Sequence, residues 1–142
     1  MKVDPRGQRV AAAVTTIVLA IVLITGSTWL LVVQAVIFAI GALAGVRFAP
    51  YGLLYKYLVR PRLGPPAELE DAAPPRFAQA VGLVFAVIGV AGYATGVLWL
   101  GIVATAFALV AAFLNAAFGL CLGCEMYLLS LRALNRGASQ AR

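Results

Sequence analysis

Residues 10–46 read VAAAVTTIVLAIVLITGSTWLLVVQAVIFAIGALAGV, a stretch without one charged side chain. A membrane-crossing helix needs about 20 apolar residues, so this run is long enough for two. The first is expected from Val10 to Thr25 and the second from Trp29 to Val46, with Gly26-Ser27-Thr28 as the turn. A second run, Phe77 to Leu131, carries only Glu125 as a charge. It holds a third span from Phe77 to between Gly92 and Gly96, and a fourth beginning near Val97.

The composition excludes the ordinary soluble alternatives. The chain has 142 residues, 63% hydrophobic and 11% charged, and a soluble helical bundle would need polar outer faces that these runs lack. Met1 to Arg9 is basic like the start of a signal peptide, but no small-residue cleavage site precedes a soluble domain. The first span is therefore expected to stay.

The expected fold class is all-α: a polytopic membrane protein of four transmembrane helices in two repeated hairpins, with short cytoplasmic interfacial helices. Tyr51 to Arg60 mixes aromatics with bases, as a helix on the membrane surface would. Prolines from Pro61 to Pro75 prevent a continuous helix there. Residues 1–142 thus form a single membrane domain. Its parts are a first hairpin with its interfacial helix (1–62), a Pro-rich cytoplasmic linker (63–75), a second hairpin (76–132) and a C-terminal tail (133–142).

Charge placement sets the expected orientation. All 11 Lys and Arg residues lie in the N-terminus, the central loop or the C-terminus, and neither hairpin tip carries one. The positive-inside rule then puts both termini and the central loop in the cytoplasm, with the protein multi-pass in the inner (plasma) membrane. The net charge of +6 follows from this orientation and from anionic lipid headgroups, and calls for no nucleic acid. The lipid bilayer is the expected partner.

Sliding the chain against itself by 70 residues pairs Pro5-Arg6 with Pro75-Arg76, Gly26 with Gly96, and Trp29-Leu30 with Trp99-Leu100. It also pairs Phe48 with Phe118, Tyr57-Leu58 with Tyr127-Leu128, and Arg62 with Arg132. This register is read as two parallel repeats about an axis along the membrane normal. It places Cys121 opposite Tyr51, where the first interfacial helix begins. One helix from Val97 to Leu131 would be about 52 Å long against about 30 Å of hydrocarbon, so a break is expected at Gly119 or Gly123.

Cys121-Leu-Gly-Cys124-Glu125 holds both cysteines of the chain. Thiols three residues apart on a helix can form a reversible disulfide, and free N–H groups at a helix start stabilise a thiolate. Cys121 is the candidate attacking thiol, Cys124 the resolving thiol and Glu125 the proton handler. Three other readings stay open. Small thiols pack well in spans, the two thiols with Glu125 would suit a soft metal ion if a partner completed the site, and the pair could gate a channel or carrier for a small sulfur compound. A structural disulfide is disfavoured in a reducing cytoplasm.

Arg47, Arg60, Arg62 and Arg76 are expected on the same face as Cys121, where they would draw an anionic sulfur species or an acidic redox partner. Orientation alone explains them equally well. Gln34 and Asn115 are expected to bond across helices, and Thr15, Thr16 and Thr105 to bond back to helical carbonyls. Trp29 and Trp99 read as interfacial anchors. Gly41-x-x-x-Gly45 leaves a homo-oligomer open. No Walker loop, dinucleotide fingerprint, nucleophile–His pair or haem-ligating His is present, and no cofactor is evident.

Asp4-Pro-Arg, Arg47-Phe-Ala-Pro-Tyr51, Arg60-Pro-Arg-Leu-Gly-Pro-Pro-Ala-Glu68, Pro75-Arg-Phe-Ala-Gln79 and Cys121-Leu-Gly-Cys124-Glu125 together support a resemblance. The chain resembles an actinobacterial group of small four-helix membrane proteins catalogued only as a domain of unknown function. The association of that group with thioredoxin-like proteins and rhodanese-type sulfurtransferases implies thiol or sulfur handling at the membrane, with such a protein as partner. It implies no particular substrate.

Overall fold

The computed structural model describes residues 2–3, 5–45, 48–63, 70–71 and 73–140. Arg47, Asp4, Glu68 and most of the Pro-rich linker lie outside them. Among the described residues the fold is helical, with six helices and one pair of two-residue strands.

α1 (Pro5–Thr25) and α2 (Thr28–Leu43) form the first hairpin. Pro5 opens α1, where a missing N–H costs nothing. Ser27 caps α2, its Oγ accepting from the Leu30 N–H at 3.3 Å. α4 (Ala73–Thr95) and α5 (Leu98–Phe118) form the second hairpin. The turns match: Gly26 has φ 66° and Gly96 has φ 82°.

Between the hairpins, Pro50–Leu54, the π-helical turn Tyr55–Val59 and Arg60–Leu63 run on as one helix, α3. The π turn has a local cause. Pro61 has no N–H and its ring crowds the carbonyl one turn back, so the ladder widens just before it, with the Arg60 N–H on the Tyr55 carbonyl. α6 (Leu122–Gln140) follows α5 and is longer than the short interfacial helix expected, continuing to Gln140. The strands β1 (Lys2–Val3) and β2 (Glu70–Asp71) pair antiparallel, an element the all-α expectation did not contain.

The helices pack reciprocally. α1 lies along α5 and α2 along α4, with α4 also against α5 and contact between α1 and α2 sparser. The close approaches of Gly41 to Gln79, Gly82 to Phe38 and Gly89 to Leu31 run in opposite chain directions, so α2 and α4 are antiparallel over their shared length. Leu19, Val22, Leu31, Phe38, Ala86 and Ala108 form the buried core.

The outer surface is apolar. Ile17 and Ile21 on α1, Val33 and Val36 on α2, Val84 and Val87 on α4, and Val103 and Val110 on α5 are all exposed. Such a surface belongs in lipid rather than water. Three helices, α1, α4 and α5, are long and apolar enough to cross a membrane. α2, with 16 residues, spans about 24 Å, short of a hydrocarbon core of about 30 Å. Trp29 and Trp99 sit by the two tight turns, 82% and 67% exposed, as interfacial side chains would.

Candidate functional site

At the end away from those turns, α5 stops at Gly119, whose φ of 69° is a left-handed conformation that a side chain would disfavour. The Gly119 N–H closes back on the Asn115 carbonyl at 3.0 Å and the Leu120 N–H on the Leu114 carbonyl at 3.2 Å. Two further carbonyls there, Ala116 and Ala117, accept from Arg9 Nη2 at 3.2 and 3.4 Å. A cation at a helix C-terminus is favoured by both hydrogen bonding and the dipole.

The chain turns and restarts within three residues. Cys121 stands at the head of α6: its carbonyl accepts from the Glu125 N–H at 3.0 Å, and its Sγ accepts from the Cys124 N–H at 3.2 Å. The sulfur thus occupies the place that a serine or aspartate oxygen takes in an ordinary helix cap. Cys121 and Cys124 form a disulfide across this first turn, with Cα atoms 5.2 Å apart. Both are half-buried and Glu125 is exposed.

The turn is held against α4. A Cβ on Gly123 would stand 2.6 Å from both Cα and Cβ of Ala78, so the backbone at 123 lies directly on that helix. One turn further on, the rings of Phe77 and Tyr127 are 5.7 Å apart. Small residues at 78 and 123 let the disulfide turn sit this deep.

The head of α3 also points inward. Tyr51, at the head of α3, donates its hydroxyl to Gln34 Oε1 at 2.7 Å. Gln34 is fully buried and lies about 13 Å back from the end of α2. Burial pushes the Tyr51 hydroxyl above its ordinary value, which keeps it protonated and donating. Tyr55 is buried with its ring on Gly7 of α1. α3 therefore does not simply lie on a surface. Its first turns enter the bundle, touching α1 through Tyr55 and α2 through Tyr51.

A cavity of about 630 Å³ lies where these elements meet, with walls from all six helices. Gly123 contributes from α6 and Cys121 from just before it, Tyr51 and Arg60 from α3, and Asn115 from α5. Gln8 Nε2 and Gln34 Nε2 are buried without a hydrogen-bond partner.

Of the arginines considered for recruitment, Arg60 shares this lining with Cys121 and Arg62 is exposed outside it. Arg76 donates from Nε to the Ala42 carbonyl at 3.1 Å and from Nη2 to the Leu43 carbonyl at 2.8 Å, capping α2 as Arg9 caps α5. Thr16 bonds back to Ala12 at 2.7 Å as expected, whereas Thr105 Oγ1 is buried with no partner. Among the described residues no group of three His, Cys, Asp or Glu comes together. Sequence reasoning passed over Arg9, Gln8 and Tyr55. Tyr51 alone had a signal, its register with Cys121.

Fold and site define a class: a small helical protein, apolar outside, whose last helix starts at a disulfide over a central cavity. The chain belongs to the family described as Domain of unknown function (DUF4395), whose model matches residues 3–132. No curated protein and no solved structure matches it.

Proposed function

We propose that this protein is a membrane thiol–disulfide or sulfur-relay protein. One observation carries the reading: the disulfide of Cys121 and Cys124 is built into a helix N-terminus and also borders the cavity. On reduction, the Cys124 N–H and the other free N–H groups of that turn stabilise a Cys121 thiolate. Cys121 then attacks an incoming disulfide, or the outer sulfur of a persulfide donor whose thiol leaves, and Cys124 resolves the mixed disulfide or persulfide. Glu125, one turn from Cys121, takes the proton. Arg60 is the basic residue nearest in role to recruitment. Exchange with a thioredoxin-like protein or a rhodanese-type sulfurtransferase is the partner reaction.

The proposal includes a topology of four spans in two repeated hairpins, with both termini in the cytoplasm. Reciprocal packing of α1 on α5 and α2 on α4 supports it, and an arginine of each hairpin, Arg9 and Arg76, caps a helix of the other. α2 joins the spans because it lies antiparallel along α4 and presents an equally apolar outer face. The basic residues then gather at the end that carries the disulfide, which the positive-inside rule assigns to the cytoplasm of a plasma membrane.

Poising the purified protein in defined thiol buffers, followed by alkylation and intact mass, tests the reading. A reversible change of two hydrogens, or added sulfur after a persulfide donor, supports it. Two cysteines that neither exchange nor accept sulfur would end it and leave a packing role.

A further inference from the structure

The cavity has a chemistry of its own. Its volume of about 630 Å³ lies within the roughly 300–1,000 Å³ usual for small-ligand sites. Phe38, Phe85 and Phe107 line it, with the Phe85 and Phe107 rings 6.0 Å apart. Its polar groups include the carboxamides of Gln8, Gln79 and Asn115 and the hydroxyls of Thr15 and Tyr51. Gln8 Nε2, a donor, is buried with nothing to donate to. No described residue of the lining is a carboxylate, while Lys56 and Arg60 are cations of it.

We propose that this cavity binds a lipophilic para-quinone that takes two electrons from the reduced Cys121–Cys124 pair, an inference that rests on the thiol–disulfide reading above. A flat apolar ring matches an aromatic wall, and its two carbonyl oxygens are acceptors for a donor such as Gln8 Nε2. A strongly hydrated substrate would lose its water against that wall without return. The bilayer around the apolar outer surface is the reservoir from which a quinone partitions. The disulfide in the lining makes the occupant a redox partner rather than a filler.

The step balances. The S–H bonds of Cys121 and Cys124 break and the S–S bond forms, releasing two electrons and two protons. The quinone takes both, its carbonyls becoming the two hydroxyls of a quinol. An external dithiol then reduces the protein disulfide and is itself oxidised to a disulfide.

The test uses the full chain in detergent micelles, reduced and freed of reductant, then mixed with a fully substituted short-chain benzoquinone. Full substitution leaves no ring position for a thiol to add to. Loss of quinone absorbance and loss of protein thiols are followed together, and exchange with dithiothreitol is measured separately. One quinone consumed per disulfide formed is expected. Ala111→Phe, which fills the cavity from two turns back along α5, should slow quinone reduction at least tenfold with dithiothreitol exchange unchanged. Gln8→Leu should raise the quinone KM several-fold in the same background, and unchanged exchange certifies that each variant is folded. Wild-type protein that exchanges with dithiothreitol but leaves the quinone unreduced overturns the quinone site alone, as does undiminished quinone reduction in both variants. Failure of both reactions overturns the thiol reading with it.

Discussion

Gly123 lies so close on Ala78 that an added Cβ would stand 2.6 Å from two atoms of that residue, one of them backbone. The disulfide turn is therefore positioned by a helix that begins 49 residues earlier in the chain, at Ala73. The contact cannot be relieved by rotating a flexible side chain.

Gly123→Ala should push α6 off α4 and cost about 1–3 kcal/mol, the usual range for overpacking. Gly137→Ala on the same helix is the control, since nothing lies within 4 Å of that position. It should be neutral or stabilise by up to ~1 kcal/mol. Thermal midpoints in one detergent compare the two.

Tyr51 and Gln34 should couple. Tyr51→Phe leaves a fully buried carbonyl oxygen without its donor, at a cost of about 1–3 kcal/mol. Gln34→Leu in the Tyr51→Phe background should recover part of that loss, because both partners are then apolar. A double-mutant cycle reads the coupling, and strict additivity would show that the bond contributes nothing.

Arg9→Ala and Arg76→Ala should each lower stability by about 0.3–1 kcal/mol, because each removes a cation from a helix C-terminus. Arg62→Ala, exposed outside the cavity, should be closer to neutral. If Arg76→Ala instead weakens binding of a redox partner at unchanged stability, recruitment is its role.

Cys121 should be the first of the reduced pair to react with iodoacetamide, as its sulfur receives the Cys124 N–H. Peptide mapping after brief alkylation at neutral pH would show Cys121 modified in excess. Equal labelling, or an excess at Cys124, would reverse the roles assigned to the two thiols.

Topology is accessible with single cysteines in a chain carrying Cys121→Ser and Cys124→Ser. A cysteine at Ala94 should label from outside intact cells with an impermeant reagent. One at Gly137 should label only after permeabilisation. Labelling of both from the same side would contradict the crossing of the membrane by α5.

Much of this was legible in the chain. Uncharged runs marked the two helical hairpins, and excess length after Val97 demanded the break found at Gly119. The register that paired Tyr51 with Cys121 drew attention to two residues that lie in the first turn of α3 and just before α6. Hydropathy was silent on how deep those places lie. Tyr51–Arg60 read as a surface helix because it mixes aromatics with bases, and that mixture does not reveal that Tyr51 and Tyr55 turn towards Gln34 and Gly7. Arg76 read as a recruiting or orienting cation because charge alone does not reveal the Ala42 and Leu43 carbonyls it meets.

The sequence by itself determined what is local: which segments can cross lipid, where helices stop, and that two thiols stand one turn apart. Those properties follow from side-chain transfer energies and backbone geometry within a few neighbouring residues. Only the tertiary structure decided that Arg9 closes the end of α5, across a separation of 107 and 108 residues. It alone brought Cys121, Tyr51 and Gln8 to the wall of one cavity. The physical reason is that a cavity is the space several helices leave unfilled, and so depends on their mutual packing rather than on any one segment.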